Sequence, residues 1–304
     1  MRRGVTSRRG KNVLEANAYP YWFGAPATLI FTVFFVLPAA LGLWLSFTNA
    51  STLSPRQEFI GFDNFELLFG SNGAAFFGAL GNQFAYAIIT TIGKTGLGVL
   101  LAFFLNRAFL GRNLLRAIVY MPIMFSTIVV GIVFGFILAN DGLLNSFLRN
   151  IGLGFVTQDW LGNFDLALYS VTAIDIWMGV GWTVVLVLAA LQSVPTELLE
   201  SAEVDGASPF RRSIHVSLPI IAPTVGLAAL LTLISGLKSF EIIYATTGGG
   251  PGHATEVMTT FLAKALGTTN LGYASAISFV QFAIITVIAL LINVVNRRIE
   301  ARTS

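Results

Sequence analysis

Long apolar runs broken by short charged stretches set the pattern of this chain. No charged residue lies between Glu15 and Arg56, a run well beyond the roughly 7–15 apolar residues of a signal-peptide core, so it predicts a retained membrane helix. Because about 20 apolar residues cross a bilayer as an α-helix, the pattern predicts six transmembrane helices, at Ala25–Phe47, Phe84–Leu105, Ile118–Leu138, Leu166–Ala190, Pro219–Leu237 and Tyr273–Val295. The expected fold class is an all-α membrane protein. Residues 1–24 and 299–304 flank a single membrane domain over 25–298.

The charges between the spans orient the bundle. Arg2, Arg3, Arg8, Arg9, Lys11, Arg107, Arg112, Arg116, Arg211, Arg212, Arg297, Arg298 and Arg302 fall on the side that holds both termini. Arg56, Arg149, Lys238 and Lys264 fall opposite or at that edge. By the positive-inside rule both termini are cytoplasmic, in a multi-pass protein of the bacterial cytoplasmic membrane.

Composition agrees with lipid as the solvent: 55% of residues are hydrophobic and 11% charged, with a mean hydropathy of +0.76. The net charge of +3 is accounted for by the membrane-flanking arginines, so membrane lipid is implied as a partner and nucleic acid is not. With no cysteine, a disulfide or a thiolate metal site is excluded.

The hydrophilic run Glu197 to Pro223 stands apart between the fourth and fifth spans. Pro195 and Thr196 open a helix on which Leu198, Leu199 and Ala202 share an apolar side, and Gly206 suits the left-handed position that ends it. Ser208 is an N-cap candidate with Pro209 at the first helical position, after which Phe210, Ile214 and Leu218 repeat on one face until Pro219. The first short helix is acidic through Glu197, Glu200, Glu203 and Asp205, the second basic through Arg211 and Arg212. Alone, these residues fit a solvated interfacial helix as well as a docking elbow.

The order Glu200-Ser201-Ala202, Asp205-Gly206-Ala207, Leu218-Pro219 and Pro223 resembles the EAA loop of permease subunits of binding-protein-dependent ABC importers, with Ser201 where alanine is usual. Gly61-Phe62-Asp63-Asn64-Phe65, Asn106-Arg107, Gly111-Arg112, Leu191-Gln192 and Thr247-Gly248-Gly249-Gly250-Pro251 extend the resemblance to the carbohydrate-uptake branch, specifically the maltose-type first permease. The resemblance implies the type I importer permease fold, with cytoplasmic coupling helices over 195–219. It also implies that Glu200, Ser201, Ala202, Asp205, Gly206, Ala207 and Arg211 dock on an ATPase. The implied partners are a second, different permease, an ATPase dimer that binds ATP and Mg, and an extracytoplasmic solute-binding protein.

Nothing in the chain itself reads as an enzyme. Gly93-Lys94-Thr95 mimics the tail of a phosphate-binding loop, but Ile88 occupies the position that needs glycine, and the triplet lies inside an apolar span. His215 and His253 do not cluster with carboxylates at metal-ligand spacing. No cofactor, metal site or catalytic constellation is predicted, so ATP hydrolysis belongs to a partner.

Candidates for the solute pathway are polar groups at membrane depth. Lys94 and Asp175 lie about 11 and 9 residues into the second and fourth spans, which at about 1.5 Å per residue gives similar depths. Each charge costs roughly 2.5–3.5 kcal/mol at a helix centre, and the two either pair to fix helix register or line a hydrated cavity. Tyr86, Trp177 and Trp182 offer rings for sugar stacking or belong to interface belts, and Ser235, Lys238, Glu241 and Tyr244 form an outer polar group. Gly131 with Gly135, and Gly93, Gly96 and Gly98, have the spacing of close helix packing. Gly248 to Gly252 form an outer loop suited to a tight turn or to contact with a solute-delivering protein. The charges alone also suit an ion-coupled secondary transporter, against which the EAA spacing argues. A neutral mono- or oligosaccharide is the expected solute, with glycerol phosphate the alternative.

Overall fold

The computed structural model describes residues 21–54 and 56–303, with only the backbone helix described from 293 on. The N-terminal segment predicted over residues 1–24, with its five basic residues, lies outside the described residues as far as residue 20. Among the described residues the architecture is helical, and the only extended pairing is in isolated bridges.

The chain divides into two compact units between Trp44 and Leu45. Helix α1, Trp22–Leu45, accounts for nearly all that is described of the first. A π turn over Thr32–Val36, closed by the Leu37 amide on the Thr32 carbonyl, stands just before Pro38. A proline has no N–H for the usual register, and the wider turn absorbs that loss. No described α1 side chain up to Trp44 is buried, and a helix apolar all round belongs against lipid or another apolar surface.

The second unit opens with a loop pinned to the start of the last helix. Gly61 turns the chain at φ +63° into α2, Asp63–Phe69. Buried Asn64 there donates to the carbonyls of Ser46 and Thr48, each at 2.9 Å. Helix α3, Gly73–Asn106, has 34 residues and starts well outside the predicted span, because Phe76 and Ala79 pack with Leu68, Met258 and Ile277.

The third predicted span is not one helix. α4 (Arg112–Tyr120) and α5 (Thr127–Ile137) meet at a 98° bend, through a 3-10 turn Met121–Met124 that contains Pro122. At about 1.5 Å per residue, the 11 residues of α5 are too short to cross a bilayer alone. After α5, α6 (Leu143–Asn150) is held by buried Asn145, which donates to Asn140 and Gln158 carbonyls and accepts from Trp160.

Helix α7, Ala167–Gln192, packs directly along α3. A β-carbon on Gly98 would lie 2.5 Å from Thr183, and one on Gly93 would strike Ile176. Gly96 faces open space, so two of the three α3 glycines serve the packing expected of them. Gly131 instead accommodates Ala245 of the short α10 (below), whose Cβ would be 2.6 Å from an added methyl.

After α8, Thr196–Val204, comes α9, Pro209–Leu237. Pro219 does not end the second elbow helix as expected. The π turn Ser213–Ser217, closed by the Leu218 amide on Ser213, carries the helix through it as before Pro38. The segment between α9 and the final helix then forms α10 (Glu241–Thr246) and α11 (Met258–Gly267). The final helix α12 runs Leu271–Thr303, so residues 299–303 continue the last helix rather than form a separate tail.

Candidate functional site

The elbow between α7 and α9 follows from local chemistry. Gly206 adopts φ +80°, and two bonds close a Schellman turn: the Ala207 amide donates to the Ala202 carbonyl at 2.9 Å and the Gly206 amide to Glu203 at 3.0 Å. Ser208 caps α9 by accepting from the Arg211 amide, with Pro209 in the first turn. Across the corner Arg212 donates to Glu203 at 2.5 Å, so this pair braces the elbow.

Leu199 and Leu218 pack inward with Leu191, Val194 and Ile221. Glu197, Glu200, Ser201, Asp205 and Arg211 are exposed, and Ala202 and Ala207 are half-buried. The sequence pattern did not single out Val204, which is 88% exposed, and Phe210, on the apolar face read from the sequence, is 69% exposed. These two apolar knobs rise beside the acidic face. A small cavity of about 180 Å³ lies behind the elbow, lined by Phe103, Arg107, Leu199, Arg212 and Ser217.

At membrane depth Lys94 and Asp175 do meet: Lys94 Nζ donates to Asp175 Oδ2 at 2.8 Å, with 8% and 14% of the side chains exposed. Gly179, one turn beyond Asp175, makes the room, since a β-carbon there would lie 2.6 Å from Lys94 Cε. The Tyr86 hydroxyl lies within the field of the Asp175 charge, and Ser239 Oγ donates to it at 3.2 Å.

Tyr86 is fully buried among Val171, Ile174, Ile242 and Ile243. Its ring faces are therefore closed to a sugar, because the same packing that brings its hydroxyl to Asp175 covers them. Trp177 sits two residues past Asp175, so helix geometry turns it to the other side of α7, where it meets Phe134 at 5.3 Å. Trp182 stays on the Asp175 side, two turns along, and is open.

Ser235, Lys238, Glu241 and Tyr244 are all exposed. They do not share one helix, since α9 ends at Leu237 and α10 begins at Glu241. Tyr244 stacks on Phe240 at 5.0 Å.

Glu256 is a polar centre that sequence reasoning missed. It is 1% exposed, accepts from or pairs with His253 Nδ1 at 2.5 Å, and forms an ion pair with Lys264. Asn82 of α3 donates to the carbonyls of His253 and Glu256 at 3.1 and 3.0 Å. Together with the Thr247–Thr255 hydroxyl contact at 2.7 Å, this fastens the Gly248–Gly252 loop to α3. A pocket of about 320 Å³ opens beside it, toward Asn72 and Tyr273. The spacing of His253, Glu256 and Lys264 in the chain was the available signal.

Helices long and apolar enough to span, a charged elbow between two of them, and a polar pair at depth define a membrane transport subunit. The model of the family of binding-protein-dependent transport system inner membrane components matches residues 94–304, and the chain belongs to that family. It is 35% identical over 276 residues to the probable ABC transporter permease protein YurN of Bacillus subtilis, covering 90% of this chain and 94% of that one. To the arabinooligosaccharides transport system permease protein AraP of the same organism it is 32% identical over 279 residues, 90% and 87% of the two chains. A solved bacterial alginate ABC transporter, in complex with an alginate pentasaccharide-bound periplasmic protein, superposes with a TM-score of 0.78 at 26% identity over 91% of this chain and 94% of that one. The chain is thus a multi-pass ABC importer permease, a transport subunit that works with a binding protein and leaves ATP hydrolysis to a separate subunit.

Proposed function

We propose that this chain is the maltose-type first permease of an importer that carries a mono- or oligosaccharide across the cytoplasmic membrane. It pairs with a second, different permease, with two ATPase subunits that hold ATP and Mg, and with an extracytoplasmic solute-binding protein. Both termini lie in the cytoplasm, as the arginine distribution requires. The solute class is supported by relatives named for oligosaccharides and by the pairing of Lys94 with Asp175, which leaves Lys94 balanced rather than free for a phosphate.

One observation carries the mechanism: a left-handed Gly206 corner braced by Glu203 and Arg212 presents Val204 and Phe210 beside Glu200. Two apolar knobs on a rigid bend suit a groove in an ATPase. Closure of the ATPase pair then pulls α8 and, through the unbroken α9, the membrane bundle, so the solute path opens first outward and then inward. Solute contacts fall to groups that keep open surface, namely the free edge of Asp175, Trp182, and the outer Lys238, Glu241 and Tyr244.

The test uses the whole complex in proteoliposomes with Glu200→Arg and Gly206→Val. Both variants should insert and assemble, hydrolyse ATP, and fail to import; normal import by either sinks the coupling role. Screening solutes for stimulation of ATP hydrolysis identifies the cargo, and a response only to a phosphorylated compound overturns the neutral-sugar reading.

A further inference from the structure

The bend between α4 and α5 leaves α4 with its polarity reversed relative to a surface helix of a soluble protein. Leu114 and Ile118, four residues apart on one face of the helix, are 66% and 51% exposed, and Leu110, in the turn just before α4, is fully exposed. The opposite side leans on the bundle: the Val119 carbonyl would be 2.5 Å from a β-carbon on Gly181 of α7. There Arg116 donates to the Leu105 carbonyl at 2.7 Å, capping α3. The apolar face thus points away from the protein, and α4 is held in that attitude by its own arginine.

Chain continuity places α4 at the membrane boundary, because α3 ends at Asn106 and the apolar α5 begins at Thr127. At the start of α4 stand Arg107, exposed, and Arg112, half-buried. Neither has an ion-pair partner among the described residues. An apolar face turned outward with unpaired arginines at one end has the chemistry of an interfacial helix on anionic lipid.

We infer that α4 is an inner-leaflet anchor: Leu110, Leu114 and Ile118 enter the acyl layer, while Arg107 and Arg112 hold the headgroups of anionic phospholipids. The inner leaflet follows from the orientation proposed above; the lipid contact itself does not depend on it. Because Arg107 also lines the cavity behind the elbow, bound lipid would steady the elbow's support.

The absence of native cysteine makes the test direct. The assembled complex carrying Leu114→Cys with a fluorescent label is reconstituted with brominated phosphatidylglycerol or brominated phosphatidylcholine at equal mole fraction. Quenching should be stronger with phosphatidylglycerol, with a local enrichment of about fivefold per arginine. Arg107→Gln/Arg112→Gln should remove the preference while leaving the label in the acyl layer. Equal quenching by both lipids overturns the inference, as does a label reached by aqueous iodide, or one shielded from lipid and water alike, which would mean that a protein partner covers α4. Labelling of Asn113→Cys by an impermeant maleimide from each side reads the orientation separately.

Discussion

Removing one member of the Lys94–Asp175 pair should damage the protein far more than removing both. At 2.8 Å and an effective dielectric of about 20, two unit charges attract by about 6 kcal/mol. Taking each from water costs several kcal/mol, so the net worth of the intact pair is small. Lys94→Met strands Asp175 without its ion-pair partner, a loss of about 3–5 kcal/mol. At about 2–4 °C per kcal/mol, the melting temperature of the solubilised complex should fall by roughly 6–20 °C.

Asp175→Leu strands Lys94 in the same way. The double variant Lys94→Met/Asp175→Leu removes both charges, keeps the Ser239–Tyr86 bond, and should return to within about 2 kcal/mol of the parent. Thermal unfolding followed by tryptophan fluorescence, run as a double-mutant cycle, measures the coupling. Additive single effects would refute the buried-pair argument. In uptake assays the recovered double variant should still import at least about tenfold more slowly, the cost of one hydrogen bond to a charged group. Import at the parental rate would remove Asp175 from the solute contacts.

Three further outcomes follow from the packing. Gly179→Leu fills the space of the Lys94 stem and should cost about 1–3 kcal/mol as overpacking, measured as a lower melting temperature. Asn64→Ala loses two bonds to carbonyls of the loop after α1 and should cost about 2–3 kcal/mol, with faster proteolysis of the 46–60 segment as its readout. Glu256→Gln weakens the hold on His253 and Lys264 and should raise amide exchange across 247–256 while leaving exchange in the elbow unchanged.

The elbow was legible because its determinants are adjacent in the chain. Gly206 supplies the left-handed turn and Ser208-Pro209 the new start, with no help from distant residues. Lys94 and Asp175 were also visible, since a charge in an apolar run is rare and their depths could be counted. Their meeting was not visible, because it needs Gly179 on one helix to make room for a side chain from another. What Trp177 and Tyr86 touch was not legible for the same reason: helix rotation and burial, not residue type, set the surroundings of each ring. The third span looked continuous because Met121, Pro122 and Phe125 are as apolar as their neighbours, while the 98° bend depends on backbone geometry there.

By itself the sequence determined that the chain lives in lipid, where its long apolar runs and its arginines lie along the chain, and where a polar corner interrupts the bundle. These follow from transfer free energies and backbone preferences, which act residue by residue. Tertiary structure alone decided that α3 and α7 pack closely enough to pair a lysine with an aspartate. It also decided that Glu256 is buried between His253 and Lys264, and that α4 turns its apolar face away from the protein. Each of these depends on residues far apart in the chain approaching within a few ångströms, and hydropathy carries no record of such distances.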